Sequence, residues 1–432
     1  MKIYIARQCL GWLATLLFVA IPFQAAASSS QALFERMRPS VVEVLTKTKG
    51  NQGVAAAASG FLAQYKDWIV TNYHAVTEVI FEPEENDLIV VTQHHQKIPA
   101  QVIAADVRQD LAILKLSQPL TAPVLSLRMQ FPAKGEAGFS MGKPGRYQHS
   151  IVAGTFNGLI DEESTPQIVF SGAINGGMSG GPTLDSSGLV VGVNVASSTE
   201  NQLLGLSVPA AALGQLIQRT LKTGPMSNAE LRQDIASQFA DYGRFQLTQI
   251  NQVPNPTRQL GPFRVQGDLS SEKECQSIRH TLPDRRYKML EQRCESSFGL
   301  YIMPKLYAAQ VITGAFWIEG KYLSNFAMAK LVERRINDLR KVHDEDSPPG
   351  RWHCSEQRLH GSQTVPIQVH ACRRLIEKLP GLYDFRFRYA PLSNGKSSLV
   401  VAIGLSGFDD ETAKKILHKS ISSMNTSLED AR

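Results

Sequence analysis

A regular series of short apolar stretches, each bounded by turn residues, occupies the first half of this 432-residue chain. Spacing of this kind predicts an all-β barrel or sandwich rather than alternating βα units. The first set of predicted strands comprises residues 39–45, 53–62, 68–71, 88–92, 98–103 and 111–116. The second set comprises residues 137–140, 149–154, 167–170, 189–195 and 206–209. Two such sets predict a double β-barrel with a cleft between its halves.

Two helices are predicted after the last of these strands. Residues 210–221 carry Leu213, Leu216 and Ile217 at helical spacing, which predicts an amphipathic helix. A polar helix follows at residues 228–242. Pro254 and Pro256 come next, and such a proline pair is typical of an extended, exposed chain. We therefore interpret residues 227–260 as a linker that contains one helix.

The remainder of the chain contains a divergent internal repeat, at residues 261–343 and 344–432. Each copy begins with two cysteines and continues with Gly-Leu-Tyr, an aromatic strand, an apolar strand and a helix, at an offset of about 80 residues. Two small α+β units are therefore predicted. We pair Cys275 with Cys294 and Cys354 with Cys372, although four cysteines allow three connectivities. Each bridge would close a loop of roughly 20 residues. In the chain-entropy account, such a bridge stabilises the fold by about 3 kcal/mol.

The N-terminus has the layout of a cleavable secretory signal, assigned to residues 1–27. Lys2 and Arg7 precede the apolar run 11–21, and three alanines follow at 25–27. A retained membrane anchor is the alternative, but the run is shorter than the roughly 20 apolar residues that span a bilayer. Export predicts a periplasmic or secreted protein, with no stable membrane span after cleavage. An oxidising compartment makes disulfides the default for the four later cysteines, and the lack of any C-x-x-C pair disfavours a metal site.

Charge and aromatic content give little indication of a nucleic-acid partner. The formal net charge is +6, and the charges of the C-terminal half alternate in sign, as on a solvated surface. Rings alternate with charges over residues 383–389, a pattern that single-stranded nucleic acid could use. In an exported protein we interpret this stretch as a half-buried strand. No nucleic-acid partner is predicted.

The glycine-rich loop of residues 175–182 carries the strongest indication of chemistry. Glycines at 177, 180 and 181 permit backbone conformations closed to other residues, and Ser179 stands between them. In such a turn the amides of Gly177 and Ser179 can converge on one point, as in an oxyanion hole. A serine nucleophile needs a base and an orienting acid.

Two residues of the first predicted barrel can supply that base and acid. His74 follows the strand 68–71, so its imidazole is expected at the rim of the barrel. Asp110 immediately precedes the strand 111–116, where a carboxylate can fix the tautomer of an imidazole. Each residue alone could be structural, but the three together predict acyl transfer.

These segments resemble a known family. Residues 70–76, 106–116 and 174–182 resemble the three active-site segments of trypsin-like serine proteases, closest to the HtrA/Deg branch, and the order His74, Asp110, Ser179 is the chymotrypsin-type order. The resemblance implies a chymotrypsin-like domain over residues 31–222. It implies that His74 is the general base and then acid, that Asp110 orients it, that Ser179 is the nucleophile, and that the amides of Gly177 and Ser179 form the oxyanion hole.

The resemblance also implies substrate contacts and an assembly. Residues Asn194, Val195 and Ala196 would form the edge strand that pairs with the substrate backbone. Ala173 would lie near the base of the S1 pocket, which implies a small or medium aliphatic P1 side chain. A homotrimer is implied as well. Two features depart from the family: Met178 replaces the usual Asn or Asp, and the C-terminal half lacks a PDZ-type Gly-Leu-Gly-Ile carboxylate-binding loop.

Two functions are compatible with these features. The first is an exported serine endopeptidase that cleaves unfolded or flexible protein segments through an acyl-enzyme on Ser179, with no cofactor and no metal. The second is a scaffold or binding protein whose protease-like domain is catalytically dispensable and which acts through the C-terminal repeats. We expect those repeats to recognise a partner or substrate, or to restrain the active site.

Overall fold

A computed structural model describes residues 25–50, 53–145, 147–162, 165–197, 204–252, 257–266, 273–280, 286–296, 300–303, 306–308, 310–337, 350–359, 365–392 and 395–430. Residues 1–24 of the predicted signal peptide lie outside this part of the chain. Helix α1 (Ala25–Met37) contains the remainder. Among the helices described, none is both long enough and apolar enough to cross a membrane.

Six antiparallel strands form a first closed barrel, with the spatial order β1-β2-β3-β6-β5-β4. Their inward valines, isoleucines and leucines fill the barrel, and a short helix, α2 (Thr77–Phe81), follows the third strand. The strands are β1 (Val41–Thr48), β2 (Val54–Leu62), β3 (Trp68–Thr71), β4 (Asn86–Val91), β5 (Lys97–Asp106) and β6 (Leu111–Leu116).

A second closed barrel has the order β10-β11-β12-β9-β8-β7. Its strands are β7 (Ala137–Gly142), β8 (Ser150–Glu162), β9 (Thr165–Phe170), β10 (Pro182–Asp185), β11 (Val190–Ser197) and β12 (Gly205–Pro209). The predicted double barrel is confirmed. Only β10 had no counterpart among the predicted strands, because it is four residues long and continues directly from the glycine-rich loop.

Helix α3 (Ala210–Thr223) follows the last strand of the second barrel. Leu213 and Leu216 are buried against the barrels, which stabilises the fold by about 2 kcal/mol for each side chain. The predicted helix over residues 210–221 therefore forms, two residues longer at its C-terminus.

Helix α4 (Asn228–Gln252) is longer than the helix predicted within the linker of residues 227–260. Ser227 and Glu230 form a capping box, in which the Ser227 N–H donates to Glu230 Oε2 at 2.8 Å. The helix does not end at Tyr242 but continues to Gln252. Its first turns bury Leu231, Ile235 and Phe239 in the core of the first barrel, and its last turns bury Ile250 in a second, C-terminal core.

The two C-terminal repeats share one seven-stranded antiparallel sheet, with the order β15-β16-β19-β23-β22-β21-β20. A hairpin, β13 (Thr257–Leu260) and β14 (Phe263–Gln266), precedes it. The sheet strands are β15 (Lys273–His280), β16 (Lys288–Ser296), β19 (Gln310–Glu319), β20 (His353–Leu359), β21 (Ile367–Leu375), β22 (Tyr383–Pro391) and β23 (Ser397–Phe408). The predicted helices are α5 (Asn325–Asn337) and α6 (Asp410–Asp430).

Two disulfides lie at opposite edges of this sheet. Cys275 faces and is bonded to Cys294 across β15 and β16, and Cys354 faces and is bonded to Cys372 across β20 and β21. Each bridge therefore fastens an edge strand to its inner neighbour. The aromatic strand over residues 383–389 lies inside the sheet as β22, with Phe385 and Phe387 buried.

The first repeat departs from the second at its aromatic strand. In the second repeat β22 lies between β21 and β23, but in the first repeat β16 pairs directly with β19. The segment that corresponds to β22 leaves the sheet and forms a separate hairpin of β17 (Leu300–Met303) and β18 (Leu306–Ala308). Ile302 of this hairpin is fully buried in the core of the first barrel. The C-terminal region is thus packed against the barrel that carries His74.

Candidate active site

His74 and Asp110 are held together at one rim of the first barrel. His74 follows β3 and Asp110 precedes β6, and because these strands pair, the two residues are neighbours. His74 Nδ1 lies 2.6 Å from Asp110 Oδ2, and the backbone N–H of His74 donates to Asp110 Oδ1 at 2.9 Å. With both carboxylate oxygens engaged, Nδ1 carries the proton and Nε2 is left as the basic nitrogen of the ring.

The backbone of Asp110 has an unusual conformation. Its φ is +51°, in the left-handed region that side-chain-bearing residues seldom adopt. Two donors hold the Asp110 carbonyl oxygen, the side-chain amide of Asn72 at 2.8 Å and the N–H of Tyr73 at 3.2 Å. The surrounding structure therefore sustains this strained conformation, which aims the carboxylate at His74.

Helix α4 fixes the loop that carries Asp110. The Val107 N–H donates to Gln238 Oε1 at 3.0 Å, and Gln238 Nε2 donates to the Ala105 carbonyl at 2.9 Å. The guanidinium of Arg108 lies 4.6 Å from the ring centre of Phe245, also on α4. Helix α4, which the sequence led us to interpret as part of a linker, therefore helps to position Asp110.

The electrostatic environment makes His74 more basic than a free histidine. Burial alone lowers the pKa of His74, but the charge of Asp110 and its hydrogen bond act in the opposite direction, and Glu78 adds to them. The net result is a pKa raised above the ordinary value of 6.5. The imidazolium that forms on proton transfer is stabilised by the same carboxylate.

Glycine is required at two positions of the loop around Ser179. Gly177 has a φ of +92°, and a Cβ there would lie 2.6 Å from the Lys143 carbonyl oxygen. Gly180 has a φ of +83°, and a Cβ there would lie 2.2 Å from the Ser59 carbonyl oxygen. The loop therefore turns sharply while in close contact with β2 of the first barrel.

The peptide between Gly176 and Gly177 is oriented by neighbouring backbone. The Gly176 carbonyl accepts a hydrogen bond from Gly145 N–H at 3.1 Å. Because the C=O and N–H of a trans peptide point in opposite directions, the Gly177 N–H is turned away from Gly145. The role of this amide as an oxyanion donor stays a prediction.

Ser59 connects this loop to both barrels. Its Oγ donates to the Gly177 carbonyl at 2.7 Å and accepts from the Lys143 N–H at 2.8 Å, and its own N–H donates to the Ser179 carbonyl at 2.8 Å. The side chain is fully buried. Ser59 is therefore a positioning residue for the loop, and the sequence analysis did not identify it, because a serine on a β-strand carries no distinctive pattern.

The Ser179 hydroxyl donates to the carbonyl oxygen of Val195 at 2.6 Å. A hydroxyl has one proton, so in this conformation it is directed at β11 rather than at His74. Gly180, the next residue, lies against the backbone of Asn72, since a Cβ on Gly180 would be 3.1 Å from the Asn72 nitrogen. The loop of Ser179 and the segment that leads to His74 thus meet at the junction of the barrels.

Asn194 differs from its predicted role as a substrate-pairing residue. Its N–H donates to the Gly181 carbonyl and its carbonyl accepts from Gly180, both at 2.8 Å, so neither backbone group is open to a substrate. Its buried side-chain amide donates to the carbonyls of Met141 and Met178. Asn194 is instead the internal support of the nucleophile loop, a role set by burial that β-strand pattern alone does not reveal.

The remaining predicted positions surround the same loop. Met178 is fully buried and its carbonyl is held by Asn194, so the departure from Asn or Asp is accommodated by packing. Ala173 is half-buried at the start of the loop, and Val195 offers the carbonyl already bound by Ser179. Ala196 pairs with Leu206 of β12.

One cluster outside this region has the spacing of a metal site. Cys354, His370 and Cys372 lie together on the C-terminal sheet. The two sulfurs are bonded to each other in the Cys354–Cys372 disulfide, and so neither is a thiolate that could ligate a metal.

Two closed six-stranded antiparallel barrels, with a histidine, an aspartate and a glycine-flanked serine at their junction, define the class of chymotrypsin-like peptidase folds. Residues 58–193 match the family described as the trypsin-like peptidase domain. The protein therefore contains a trypsin-like peptidase domain.

Similar proteins match part of this chain and extend beyond the matched region. The chain is 27% identical over 216 residues to Protease Do-like 1, chloroplastic, of Arabidopsis thaliana, covering 45% of this chain and 48% of that protein. It is 33% identical over 188 residues to a probable periplasmic serine endoprotease DegP-like of Chlamydia pneumoniae, covering 41% of this chain and 37% of that protein. The chain therefore matches less than half of the length of each of these two relatives.

Among solved structures, a serine endoprotease from Yersinia pestis is 22% identical, with a TM-score of 0.39, over 45% of this chain and 67% of that chain. At that score the likeness adds nothing to the fold described above.

Proposed function

We propose that the protein is an exported serine endopeptidase that cleaves unfolded or flexible protein segments through an acyl-enzyme on Ser179. The observation that carries this proposal is the 2.6 Å contact of His74 Nδ1 with Asp110 Oδ2, at the junction where the glycine-flanked Ser179 loop meets the first barrel. The contact leaves Nε2 of His74 free to accept a proton from a nucleophile. The trypsin-like peptidase domain over residues 58–193 supports the same activity.

Acylation requires the Ser179 hydroxyl to turn from Val195 toward His74. Ser179 Oγ then attacks the scissile carbonyl carbon while its proton passes to His74 Nε2. The carbonyl oxygen becomes an oxyanion, for which the N–H groups of Gly177 and Ser179 are the donors. When the tetrahedral species collapses, the C–N bond breaks, and protonated His74 gives its proton to the leaving amine.

Deacylation repeats these steps with water. His74, neutral again, removes a proton from a water molecule as the water oxygen attacks the acyl carbon. The second oxyanion is held by the same two amides, and its collapse releases the new carboxyl terminus. The proton on His74 returns to Ser179 Oγ. Asp110 stays ionised throughout and stabilises each imidazolium by the hydrogen bond that orients the ring.

The substrate class follows from the backbone groups at the site. An extended peptide can donate its P1 N–H to the Val195 carbonyl, which a folded segment with its own hydrogen bonds cannot do. We expect a small or medium aliphatic P1 side chain near Ala173. A periplasmic or secreted location, predicted from the signal-like N-terminus, and a homotrimer, suggested by resemblance to the HtrA/Deg branch, belong to this proposal.

A fluorophosphonate probe tests the activity on the full chain. We expect covalent labelling that is lost in Ser179→Ala and retained in Ser186→Ala, a change of an exposed serine in the same barrel. Hydrolysis of a denatured protein substrate should follow the same pattern. A folded wild-type protein that takes up no label at Ser179 contradicts the proposal. Wild-type function of Ser179→Ala in cells would favour the scaffold alternative, in which the C-terminal sheet acts alone.

A further inference from the structure

A hairpin of the C-terminal region lies beside the candidate catalytic histidine. The ring of Tyr301, on β17, meets the ring of His74 edge to face, with centroids 6.2 Å apart and planes at 84°. This geometry is favourable for a pair of aromatic rings. Tyr301 therefore lies directly beside the side chain of the candidate base.

The hairpin is anchored in the first barrel rather than resting on its surface. Ile302, the next residue, is fully buried in the barrel core, and its carbonyl accepts a hydrogen bond from Tyr73 Oη at 3.2 Å. Burial, with the charge of Asp110, raises the pKa of Tyr73 well above its usual range, so the phenol remains a donor. Since Tyr73 precedes His74 in the chain, this bond fixes the hairpin relative to the histidine.

A second segment of the C-terminal region strengthens the attachment. Ile376, Leu379 and Leu382 are buried in the same core as Ile302. Nearby, the ammonium group of Lys378 pairs with the carboxylate of Glu82, which follows α2. Two attachments on one side of the barrel hold Tyr301 in a fixed position, as a subsite wall requires.

The hairpin lies beside His74 without covering it. With the hairpin in place, the side chain of His74 keeps 34% of its surface exposed, and Tyr301 and Ser179 are only half-buried. The neighbours of Tyr301 on β17, Leu300 and Met303, are apolar and partly buried against the same core. A substrate side chain that lies next to His74 on this side would thus contact the ring of Tyr301.

We propose that Tyr301 is a specificity-determining residue, the wall of an apolar subsite that takes a side chain next to the scissile bond. The inference rests on the proposed peptidase function and adds a substrate preference to it. An aliphatic side chain gains contact area against the ring, whereas a carboxylate loses water there. The subsite is shared by two parts of the chain, with His74 from the barrel and Tyr301 from the C-terminal sheet region.

The test compares peptide substrates that differ at one position. Matched fluorogenic peptides carry leucine or aspartate at P2, and a second pair carries them at P1′, because a catalytic histidine contacts both neighbours of the scissile bond. In the full-length wild type we expect a higher kcat/KM for leucine at one of these positions. Tyr301→Ala should reduce the leucine-to-aspartate ratio there by about tenfold. Tyr301→Phe should keep the ratio, because the ring remains.

Two further variants make the result specific. Tyr322→Ala removes a tyrosine that is 78% exposed in the same C-terminal region, and it should leave every ratio unchanged. Tyr301→Asp places a carboxylate on the wall, so a peptide with lysine at the sensitive position should become favoured over aspartate. This variant tests the subsite by a gain of preference even if Tyr301→Ala folds poorly.

The possible outcomes separate this inference from the proposed function. If the fluorophosphonate probe fails to label Ser179 in the wild type, the peptidase function fails, and the subsite fails with it. If labelling is normal but Tyr301→Ala and Tyr301→Asp keep the wild-type preferences, the subsite alone is wrong. An equal rise in kcat/KM for all peptides in Tyr301→Ala also overturns it, because the hairpin would then obstruct the cleft rather than select a side chain.

Discussion

The Ser179 hydroxyl and the Val195 carbonyl form a 2.6 Å hydrogen bond, so the candidate nucleophile is bound to the same oxygen that we expect to accept the P1 N–H of a substrate. We expect a bound peptide to compete with Ser179 for the Val195 carbonyl. Once displaced, the hydroxyl can turn to His74. We therefore expect substrate binding and alignment of the nucleophile to be coupled through one carbonyl group.

N-methylation of the P1 amide tests this coupling. A peptidyl phosphonate inhibitor that is N-methylated at P1 cannot donate to Val195. We expect it to phosphonylate Ser179 about fivefold more slowly, the effect of one lost hydrogen bond of about 1 kcal/mol. The control is the same inhibitor N-methylated instead at the residue furthest from the phosphonate group. Equal inactivation rates for the two inhibitors would argue against the coupling.

The pH dependence of activity should reflect the raised pKa of His74. The base must be neutral to accept a proton, so kcat/KM should rise with pH, with a midpoint above 6.5, the ordinary value for histidine. Glu78 contributes to raising the pKa, and Glu78→Gln should therefore move the midpoint to lower pH while it leaves the plateau near the wild-type level. A midpoint that stays or moves upward in Glu78→Gln would contradict this account.

The two consecutive glycines before Met178 should respond differently to substitution. Gly177→Ala forces a side chain into the left-handed region and against the Lys143 carbonyl, and we expect kcat to fall by about 10²–10³ as the amide donor is displaced. A Cβ on Gly176 meets nothing within 4 Å, so Gly176→Ala should retain activity. Steady-state kinetics on a peptide substrate distinguish the two. Similar kcat values for both variants would show that the Gly177 amide is not an oxyanion donor.

The C-terminal sheet contains a buried ion pair whose loss should be costly. Arg374 Nη2 lies 2.6 Å from Asp384 Oδ2, and both residues are buried. Ser406 Oγ also donates a hydrogen bond to Asp384 Oδ1 at 2.6 Å. Asp384→Ala leaves a buried guanidinium without its carboxylate, which should lower the free energy of unfolding by about 3–5 kcal/mol. Asp241→Ala breaks an exposed pair with Arg244 and should cost about 0.5 kcal/mol or less. Urea unfolding measures both; a small effect of Asp384→Ala would show that water reaches Arg374.

The sequence predicted the barrels because their strands are short, apolar and evenly spaced, and it predicted the site because His74 and Asp110 each border such a strand. The nucleophile loop could be predicted from its glycines. The catalytic roles of these residues and the trimer stay predictions. Asn194 was assigned to the substrate because resemblance located the strand without indicating that Asn194 is buried.

The errors in the C-terminal half have a different cause. Leu231, Ile235 and Phe239 recur at helical spacing in α4, but its overall polarity and the prolines after it favoured a linker. The internal repeat predicted a strand at Tyr301, which forms as β17, but it did not indicate that this strand would lie outside the sheet that contains Tyr383. Its position beside His74 depends on contacts with the first barrel, and those contacts leave no periodic pattern in the sequence.

Helix α4 has a consequence for the lifetime of the protein in a cell. Since one end of α4 is buried with the first barrel and the other with the C-terminal sheet, neither half can open fully without exposing apolar surface of the helix. We therefore expect a single cooperative unfolding transition. A change of about 1–2 kcal/mol anywhere in the sheet would then alter how often the peptidase domain unfolds, and with it the abundance of the whole protein.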